Sequence, residues 1–187
     1  AGNDIAVIAR QAQTINGALA QQLQSSRCGP VIETVELPSL VEQSVELVSP
    51  GLRQRITIDL DRSLYEVGPL PVPRVMLQQV FQNLVQNAAE AACGADGARG
   101  RLEVSCVVGR GERGDEILTL RFADDGVGIR DEDLTRIFEK GFSTKPRDTN
   151  QGIGLHWCAN AINAIGGQIR AERATSGGAI LYVTVPL

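Results

Sequence analysis

The sequence at residues 76–92, MLQQVFQNLVQNAAEAA, predicts one helix with two different faces. Apolar residues recur every three or four positions and form a stripe that must pack against a core. The residues of this stripe are Leu77, Val80, Phe81, Leu84, Val85 and Ala88. Polar residues repeat with the same spacing on a second face, which consists of Gln79, Asn83, Asn87 and Glu90. The helix is therefore expected to lie on the core and to present a row of polar side chains.

Two asparagines, Asn83 and Asn87, lie one turn apart in the middle of this predicted helix. Asn is a mediocre helix former because its amide competes for backbone hydrogen bonds, so the pair needs a reason. One reason is a solvated helix face. The other is that the amide carbonyl is a neutral oxygen ligand for Mg²⁺, which takes few protein ligands and completes its shell with water and phosphates. The choice depends on whether the rest of the chain supplies a nucleotide pocket.

Length and composition indicate an ordinary soluble protein. The 187 residues, 43% hydrophobic and 21% charged, allow one domain with an appendage. A net charge of −4 offers no basic surface for duplex nucleic acid, so nucleic acid is not expected as a partner. Four scattered cysteines and one histidine do not suggest a zinc site, and they indicate a reducing, cytoplasmic compartment.

No apolar run reaches the roughly 18 residues of a membrane span, and no signal peptide is visible. Because the chain opens without Met, we expect a fragment of a longer protein, whose missing part has room for a membrane anchor.

Residues 4–25 predict a helix that needs a partner. Its apolar positions alternate steps of three and four in a heptad-like seam, which consists of Ile5, Ile8, Ala12, Ile15, Leu19 and Leu23. A second copy of the chain would cover this seam in a homodimer, and the alternative is a helix folded back on its own domain. Since Cys28-Gly29-Pro30 ends the helix, the chain is divided into residues 1–28 and residues 29–187.

The remaining pattern mixes strands and helices. Alternating segments predict strands at residues 31–37, 56–60, 102–108, 117–122, 168–173 and 179–185, and helical spacing predicts helices at residues 38–48, 76–92, 132–138 and 153–165. Three prolines at residues 69–73 predict an extended approach to the asparagine helix. This order predicts an α+β fold, a two-layer sandwich whose mixed, mostly antiparallel sheet carries helices on one face.

The first glycine group is Asp124-Asp125-Gly126-Val127-Gly128, directly after an apolar strand. The glycines let backbone approach a ligand, and the Asp124 carboxylate at the strand end can accept a hydrogen bond from an exocyclic amine such as that of adenine. Asp and Gly are also what any turn prefers, so a plain turn remains an alternative.

The second glycine group, Gly152-Ile153-Gly154, opens a predicted helix, whose unpaired amides form a natural phosphate cradle. Between the two groups lies a run of cations and hydroxyls able to contact a polyphosphate, namely Lys140, Ser143, Thr144, Lys145 and Arg147. A solvated loop is the alternative for this run.

Taken in order, these segments resemble the ATP-binding catalytic domain of two-component sensor histidine kinases, of the superfamily shared with gyrase, chaperone and mismatch-repair ATPases. QNLVQNAAEAA is similar to the N box, DDGVGI to the first glycine box, IFEKGFSTK to the F box, NQGIGL to the second glycine box and GGAILYVTVPL to the closing hairpin. The resemblance extends from about Val31 to the end and implies the Bergerat-type fold of that superfamily.

The resemblance also implies roles for single residues, with ATP and Mg²⁺ as cofactors. Asn87 would hold Mg²⁺, Asn83 would support the metal and phosphate site, and Asp124 would take the adenine amine. Thr144 and Lys145 would reach the phosphates from a lid. The implied nucleotide-binding set is Asn83, Asn87, Asp124, Gly126, Gly128, Ile129, Thr144, Lys145, Gly152, Ile153, Gly154 and Leu155, with Asn83 and Lys145 as the candidate catalytic residues.

By the same resemblance, the γ-phosphoryl group passes from ATP to a histidine on a dimerisation helix and then to the receiver domain of a response regulator. The single histidine, His156, is expected to pack at the pocket rim, so we expect the acceptor helix to lie outside this fragment, with residues 4–25 as the second helix of the dimerisation hairpin. Such a fragment would bind Mg-ATP but could not label itself. An ATPase of the gyrase or chaperone kind would need a Glu where Asn83 stands. A Ser/Thr-directed kinase of the anti-sigma type and a degenerate interaction module without nucleotide remain as alternatives.

Two positions depart from the family pattern. The family often has Gly where Asn150 stands, which implies a less flexible lid here, and many members have Lys or Arg where Glu90 stands, which implies one phosphate contact fewer.

Overall fold

The computed structural model describes residues 30–92, 99–111, 114–144, 152–175 and 177–187. Within these ranges the strands are β1 (Glu33–Val35), β2 (Ile56–Leu60), β3 (Leu70–Val72), β4 (Gly100–Arg110), β5 (Glu116–Asp124), β6 (Gln168–Arg173) and β7 (Ala179–Pro186). The helices are α1 (Leu37–Glu46), α2 (Pro50–Arg53), α3 (Ser63–Glu66), α4 (Arg74–Ala91) and α5 (Gly154–Ala164). The helix expected at residues 4–25, and with it the division at residue 28, lies outside the described residues.

Five strands form a mixed sheet in the order β2-β4-β5-β7-β6. Only β2 and β4 run parallel within it, and the other neighbours are antiparallel. Side chains of β5 alternate between the buried core face, with Leu118, Leu120 and Phe122, and a polar face, where the Thr119 and Thr184 hydroxyls lie 3.3 Å apart. The predicted α+β fold, with a mostly antiparallel sheet and helices, is confirmed.

The long helix α4 packs on the core face through its predicted apolar stripe. Its members Leu77, Val80, Phe81, Leu84 and Val85 are each at most 1% exposed. The Phe81 ring meets the Phe122 ring of β5 with centroids 5.2 Å apart and planes tilted by 54°. Such an aromatic pair adds about 0.5–1.5 kcal/mol beyond the burial of its area. This packing fixes the rotation of α4 and therefore the direction of its polar face.

The predicted first strand differs from the observed one in length and partner. Only Glu33–Val35 forms a strand, and it pairs with β3 in a separate two-stranded sheet. The sequence predicted only an extended segment where β3 lies, because proline has no N–H with which to donate a hydrogen bond to a neighbouring strand. The following helix begins at Leu37, one residue before the predicted start, with Pro38 in its first turn, where the absent N–H costs nothing.

The helix predicted for residues 132–138 is two single turns of 3-10 helix, Asp131–Asp133 and Arg136–Phe138. Of its three apolar residues, Leu134 and Ile137 are three apart, a spacing that suits a 3-10 turn, and Phe138 follows directly. The four-residue helices α2 and α3 were not predicted, since they are too short to show a hydrophobic period. Among the described helices, none is long and apolar enough to cross a bilayer.

Candidate functional site

Asn87 on α4 lies between the two glycine loops. One turn later on the same face, the Ala91 carbonyl accepts a hydrogen bond from the Val127 amide at 3.4 Å, and a Cβ at Gly126 would lie 2.8 Å from the Ala91 Cβ. One turn earlier, a Cβ at Gly154 would lie 3.1 Å from Asn83 Oδ1. The half-buried Asn87 is therefore flanked by one helical neighbour at each loop. Both glycine loops therefore approach α4 within one helical turn of Asn87.

Asp124 ends β5 and is the partly buried carboxylate of the site. Its Oδ1 accepts hydrogen bonds from the Gly126 amide at 2.9 Å and the Ala179 amide at 3.2 Å. Burial raises the pKa of the Asp124 carboxyl, while these two backbone hydrogen bonds lower it in part. Both of these bonds use Oδ1, and neither uses Oδ2.

Glycines bring the β6–β7 turn against Asp124. A Cβ at Gly178 would lie within van der Waals overlap of the Asp124 carbonyl, 1.9 Å from its oxygen, and Gly178 has a φ of +84°. Gly128, with a φ of +75°, sits so close to Gly178 that its Cβ would lie 2.9 Å from the Gly178 carbonyl oxygen. Sequence reasoning found Gly128 but missed Gly178 and Ala179, whose contacts with Asp124 join positions more than 50 residues apart. The only available signal was the Gly177-Gly178 pair itself.

Asn83 joins α4 to α5. Its Nδ2 donates to the Gln79 carbonyl at 3.0 Å, and its Oδ1 faces the first turn of α5 at Gly154. Complete burial raises the pKa of the Cys158 thiol on α5. The glycine at residue 154 leaves room for the Asn83 amide, and α5 begins beside it.

The loop after the 3-10 turns meets the start of α5. The Gly141 amide donates to the Gly152 carbonyl at 3.1 Å, and a Cβ at Gly152 would lie 2.4 Å from the Phe142 carbonyl oxygen. Gly152 has a φ of +63°, so only glycine suits this junction. The Arg136 guanidinium lies 4.8 Å from the centroid of the Phe142 ring. Both Phe138 and Phe142 pack against the core, so both anchor the loop.

The other predicted site residues differ in their surroundings. Ile129 and Leu155 are half-buried and pack against the core. Thr144 is exposed, and Ile153 is 47% exposed at the start of α5. Lys145, the second candidate catalytic residue, lies outside the described residues. The structure thus brings Asn83, Asn87, the glycines and Asp124 to one region, while the roles of all twelve residues toward nucleotide stay predictions.

His156 holds α5 to the adjacent loop. Its Nδ1 lies 3.0 Å from the Phe138 carbonyl oxygen, and its Nε2 lies 3.0 Å from Asn160 Nδ2. A carbonyl only accepts and an amide nitrogen only donates, so the neutral imidazole with its proton on Nδ1 satisfies both contacts. Both ring nitrogens are therefore engaged in packing α5.

The acidic groups of the described segments do not form a metal cluster: no three His, Cys, Asp or Glu side chains in them could hold an ion together. The half-buried Asn87 side chain carries a neutral amide oxygen. This donor fits Mg²⁺, because that ion takes most of its ligands from water and phosphates.

A family model described as histidine kinase-, DNA gyrase B- and HSP90-like ATPase matches residues 73–187. The chain is 34% identical over 151 residues to the sensor protein FixL of Bradyrhizobium diazoefficiens, which covers 80% of the chain and 28% of FixL. It is 32% identical over 185 residues to the sensor histidine kinase ZraS of Klebsiella oxytoca, which covers 97% of the chain and 37% of ZraS. The chain therefore spans about a third of the length of these relatives.

Solved structures share the fold. The full-length ShkA structure in complex with AMPPNP aligns with a TM-score of 0.71 at 22% identity, over 95% of this chain and 36% of that one. The mycobacterial sensor histidine kinase MprB aligns with a TM-score of 0.63 at 22% identity, over 83% of this chain and 97% of that one.

Proposed function

Because the chain belongs to the family of histidine kinase-, DNA gyrase B- and HSP90-like ATPases, we propose that it is the catalytic domain of a sensor histidine kinase. In this proposal it binds Mg-ATP and donates the γ-phosphoryl group to a histidine on a dimerisation helix. The names of its relatives support the kinase branch of the family. The observation that carries the proposal is the position of Asn87 between two glycine loops, with Asp124 at the end of one of them.

Each part of the nucleotide has a proposed contact. Asp124 Oδ2 accepts the adenine amine, and the Asn87 amide oxygen holds Mg²⁺, which neutralises charge on the phosphates when bound. The free amides at the first turn of α5 face the phosphates, and Asn83, Thr144 and Lys145 complete the phosphate side. The rate would come from positioning and charge neutralisation, because phosphoryl transfer leaves the protein little covalent work.

The choice between a kinase and a water-directed ATPase depends on residue 83. An ATPase that activates water needs a general base one turn before the metal-binding asparagine, and an amide cannot accept a proton there. Asn83 is moreover engaged with Gln79 and with α5. We therefore favour transfer to a histidine over transfer to water.

The proposed partners follow from this activity. They are ATP, the helix that carries the phosphoacceptor histidine and the receiver domain of a response regulator, with homodimerisation through the seam at residues 4–25. A kinase that uses ATP and acts on a receiver domain would work in the cytoplasm.

Calorimetry with Mg²⁺ and the unhydrolysable analogue AMP-PNP tests the proposal. Asn87→Ala should weaken binding about tenfold or more and should abolish most of the gain in affinity that Mg²⁺ provides, because the metal loses its protein ligand. Alanine is the better helix former, so the variant should fold at least as well.

Asn163→Ala is the matched control. It makes the same substitution at an exposed position near the end of α5 and should leave binding unchanged. Absence of AMP-PNP binding in the unmutated chain would instead favour the interaction module without nucleotide.

A further inference from the structure

Asp133 is the one charged side chain that is buried in the described part of the chain. It is 1% exposed, and two arginines that are half-exposed or more pair with it. Arg130 places Nη2 2.7 Å and Nε 2.8 Å from Asp133 Oδ2, and Arg136 places Nη1 3.4 Å from Oδ1. A buried ion pair is weak evidence for stability, since apolar residues often stabilise such a position equally well. The ion pairs of Asp133 therefore need an explanation other than stability, and the position in which they hold Arg136 offers one.

The arginine that Asp133 orients also stacks on an aromatic ring. The Arg136 guanidinium lies over Phe142, 4.8 Å from the ring centroid. With Asp133 on one side and Phe142 on the other, the guanidinium plane has little freedom to turn. The position of Phe142 thus depends on a charge that lies nine residues earlier in the chain.

Phe142 in turn contacts the approach to α5. Its carbonyl oxygen lies 2.4 Å from where a Cβ of Gly152 would be, and the neighbouring Gly141 amide bonds the Gly152 carbonyl at 3.1 Å. Two residues later Gly154 begins α5 against Asn83. A continuous set of contacts therefore leads from Asp133 to the helix end that faces Asn83.

We propose that Asp133 is a positioning residue for phosphate binding: through Arg136 and Phe142 it holds the first turn of α5 next to Asn83. The inference rests on the proposed function, since it assigns the phosphates to that turn. The adenine side is built by different contacts, those of Asp124 with Gly126 and Ala179, and should not depend on Asp133.

Asp133→Asn provides the test, with AMP-PNP and adenosine titrated separately in the presence of Mg²⁺. Affinity for AMP-PNP should fall about tenfold, and affinity for adenosine should stay within about twofold, so the ratio of the two changes. Arg136→Lys keeps the charge but cannot stack in the same way, and it should change the ratio similarly. Because both variants break one set of contacts, the double variant should lose less than the sum of the two.

Glu132→Gln is the matched control, because Glu132 is an exposed partner of Arg130. It should leave both affinities unchanged. A purely structural role for Asp133 predicts a lower melting temperature with an unchanged ratio of affinities, and that result would overturn the inference. If Asp133→Asn does not fold, Arg136→Lys alone decides by the same ratio. An unmutated chain that binds neither ligand refutes the proposed function itself, which is a different outcome.

Discussion

At the scale of single residues, the proposed function gives the two oxygens of Asp124 different tasks. Oδ1 accepts the Gly126 and Ala179 amides and so ties the glycine loop to the β6–β7 turn. Oδ2 is the proposed acceptor for the adenine amine. Burial disfavours the charged form and raises the carboxyl pKa, so the carboxylate is held at some expense to stability. A side chain that is kept charged against this penalty suggests a use for the charge.

Asp124→Asn separates the two tasks. The asparagine oxygen can still accept both backbone amides, whereas its nitrogen cannot accept an amine hydrogen. We expect binding of AMP-PNP to fall about 10- to 100-fold, as when a hydrogen bond to a charged group is lost. The melting temperature at neutral pH should be unchanged or higher, because position 124 then carries no partly buried charge. Calorimetry and thermal denaturation measure the two effects, and Asp115→Asn, at an exposed position directly before β5, is the control. A large drop in melting temperature would contradict this division.

The raised pKa of Asp124 also predicts the sign of a pH dependence. A carboxyl whose folded pKa lies above its unfolded value favours folding below the unfolded pKa, and this contribution is lost as pH rises through the folded pKa. In the proposed function ligand binding needs the Asp124 carboxylate, so ligand affinity should fall as pH drops through the same folded pKa. Titrations with adenosine from neutral to acid pH measure this loss without titrating phosphates. The dependence of adenosine affinity on pH should disappear in Asp124→Asn. An equal pH dependence in the unmutated chain and in this variant would refute the assignment of Asp124 to the adenine amine.

At the scale of elements, residues 76–92 predicted the central helix well. Every residue of the apolar stripe is buried in α4, because the periodicity of a long amphipathic helix is local information. The strand that ends at Asp124 was equally readable from its alternation. The pairing of β1 with β3 could not be predicted in this way, because it depends on a partner distant in sequence. The 3-10 turns around Asp133 could not be predicted either, because they depend on ion pairs.

Gly178 also contacts a residue distant in sequence, Asp124, and this contact can be tested by substitution. Gly178→Ala places a methyl group on the Asp124 carbonyl, where the Cβ would lie 1.9 Å from the oxygen, and it also adopts a positive φ. Gly177→Ala has a positive φ as well, but nothing lies within 4 Å of its Cβ. The second variant should lose about 1–2 kcal/mol of unfolding free energy from backbone strain alone.

Gly178→Ala should lose about 1–3 kcal/mol more unfolding free energy than Gly177→Ala, because its methyl group forces the β6–β7 turn away from Asp124. It should also weaken nucleotide binding, because Ala179 no longer holds the carboxylate. Urea denaturation and calorimetry distinguish the two variants. Equal losses of unfolding free energy in Gly178→Ala and Gly177→Ala would show that the turn does not pack against Asp124.

At the scale of the whole molecule, α4, α5 and the end of β5 bring Asn83, Asn87 and Asp124 to one region, whereas the proposed reaction needs a nucleophile from elsewhere. His156, the single histidine of the sequence, has both ring nitrogens in contact with Phe138 and Asn160. Asn83 cannot activate water. The sequence led to the same expectation through the family resemblance, the position of His156 beside the second glycine group and the amide at residue 83, and the structure adds the contacts of His156.

The chain should therefore bind Mg-ATP, release phosphate slowly and label itself on no histidine. With γ-labelled ATP, the chain should transfer label only when a separate dimerisation fragment that carries an acceptor histidine is added. The reason is that the reaction requires ATP and the acceptor histidine to be held next to each other. The same fragment with that histidine changed to Ala is the control, and acid lability of the product identifies a phosphohistidine. Stable label on His156 would mean that the ring can leave its two contacts, and phosphate release faster than transfer would place the chain with the water-directed members of its family.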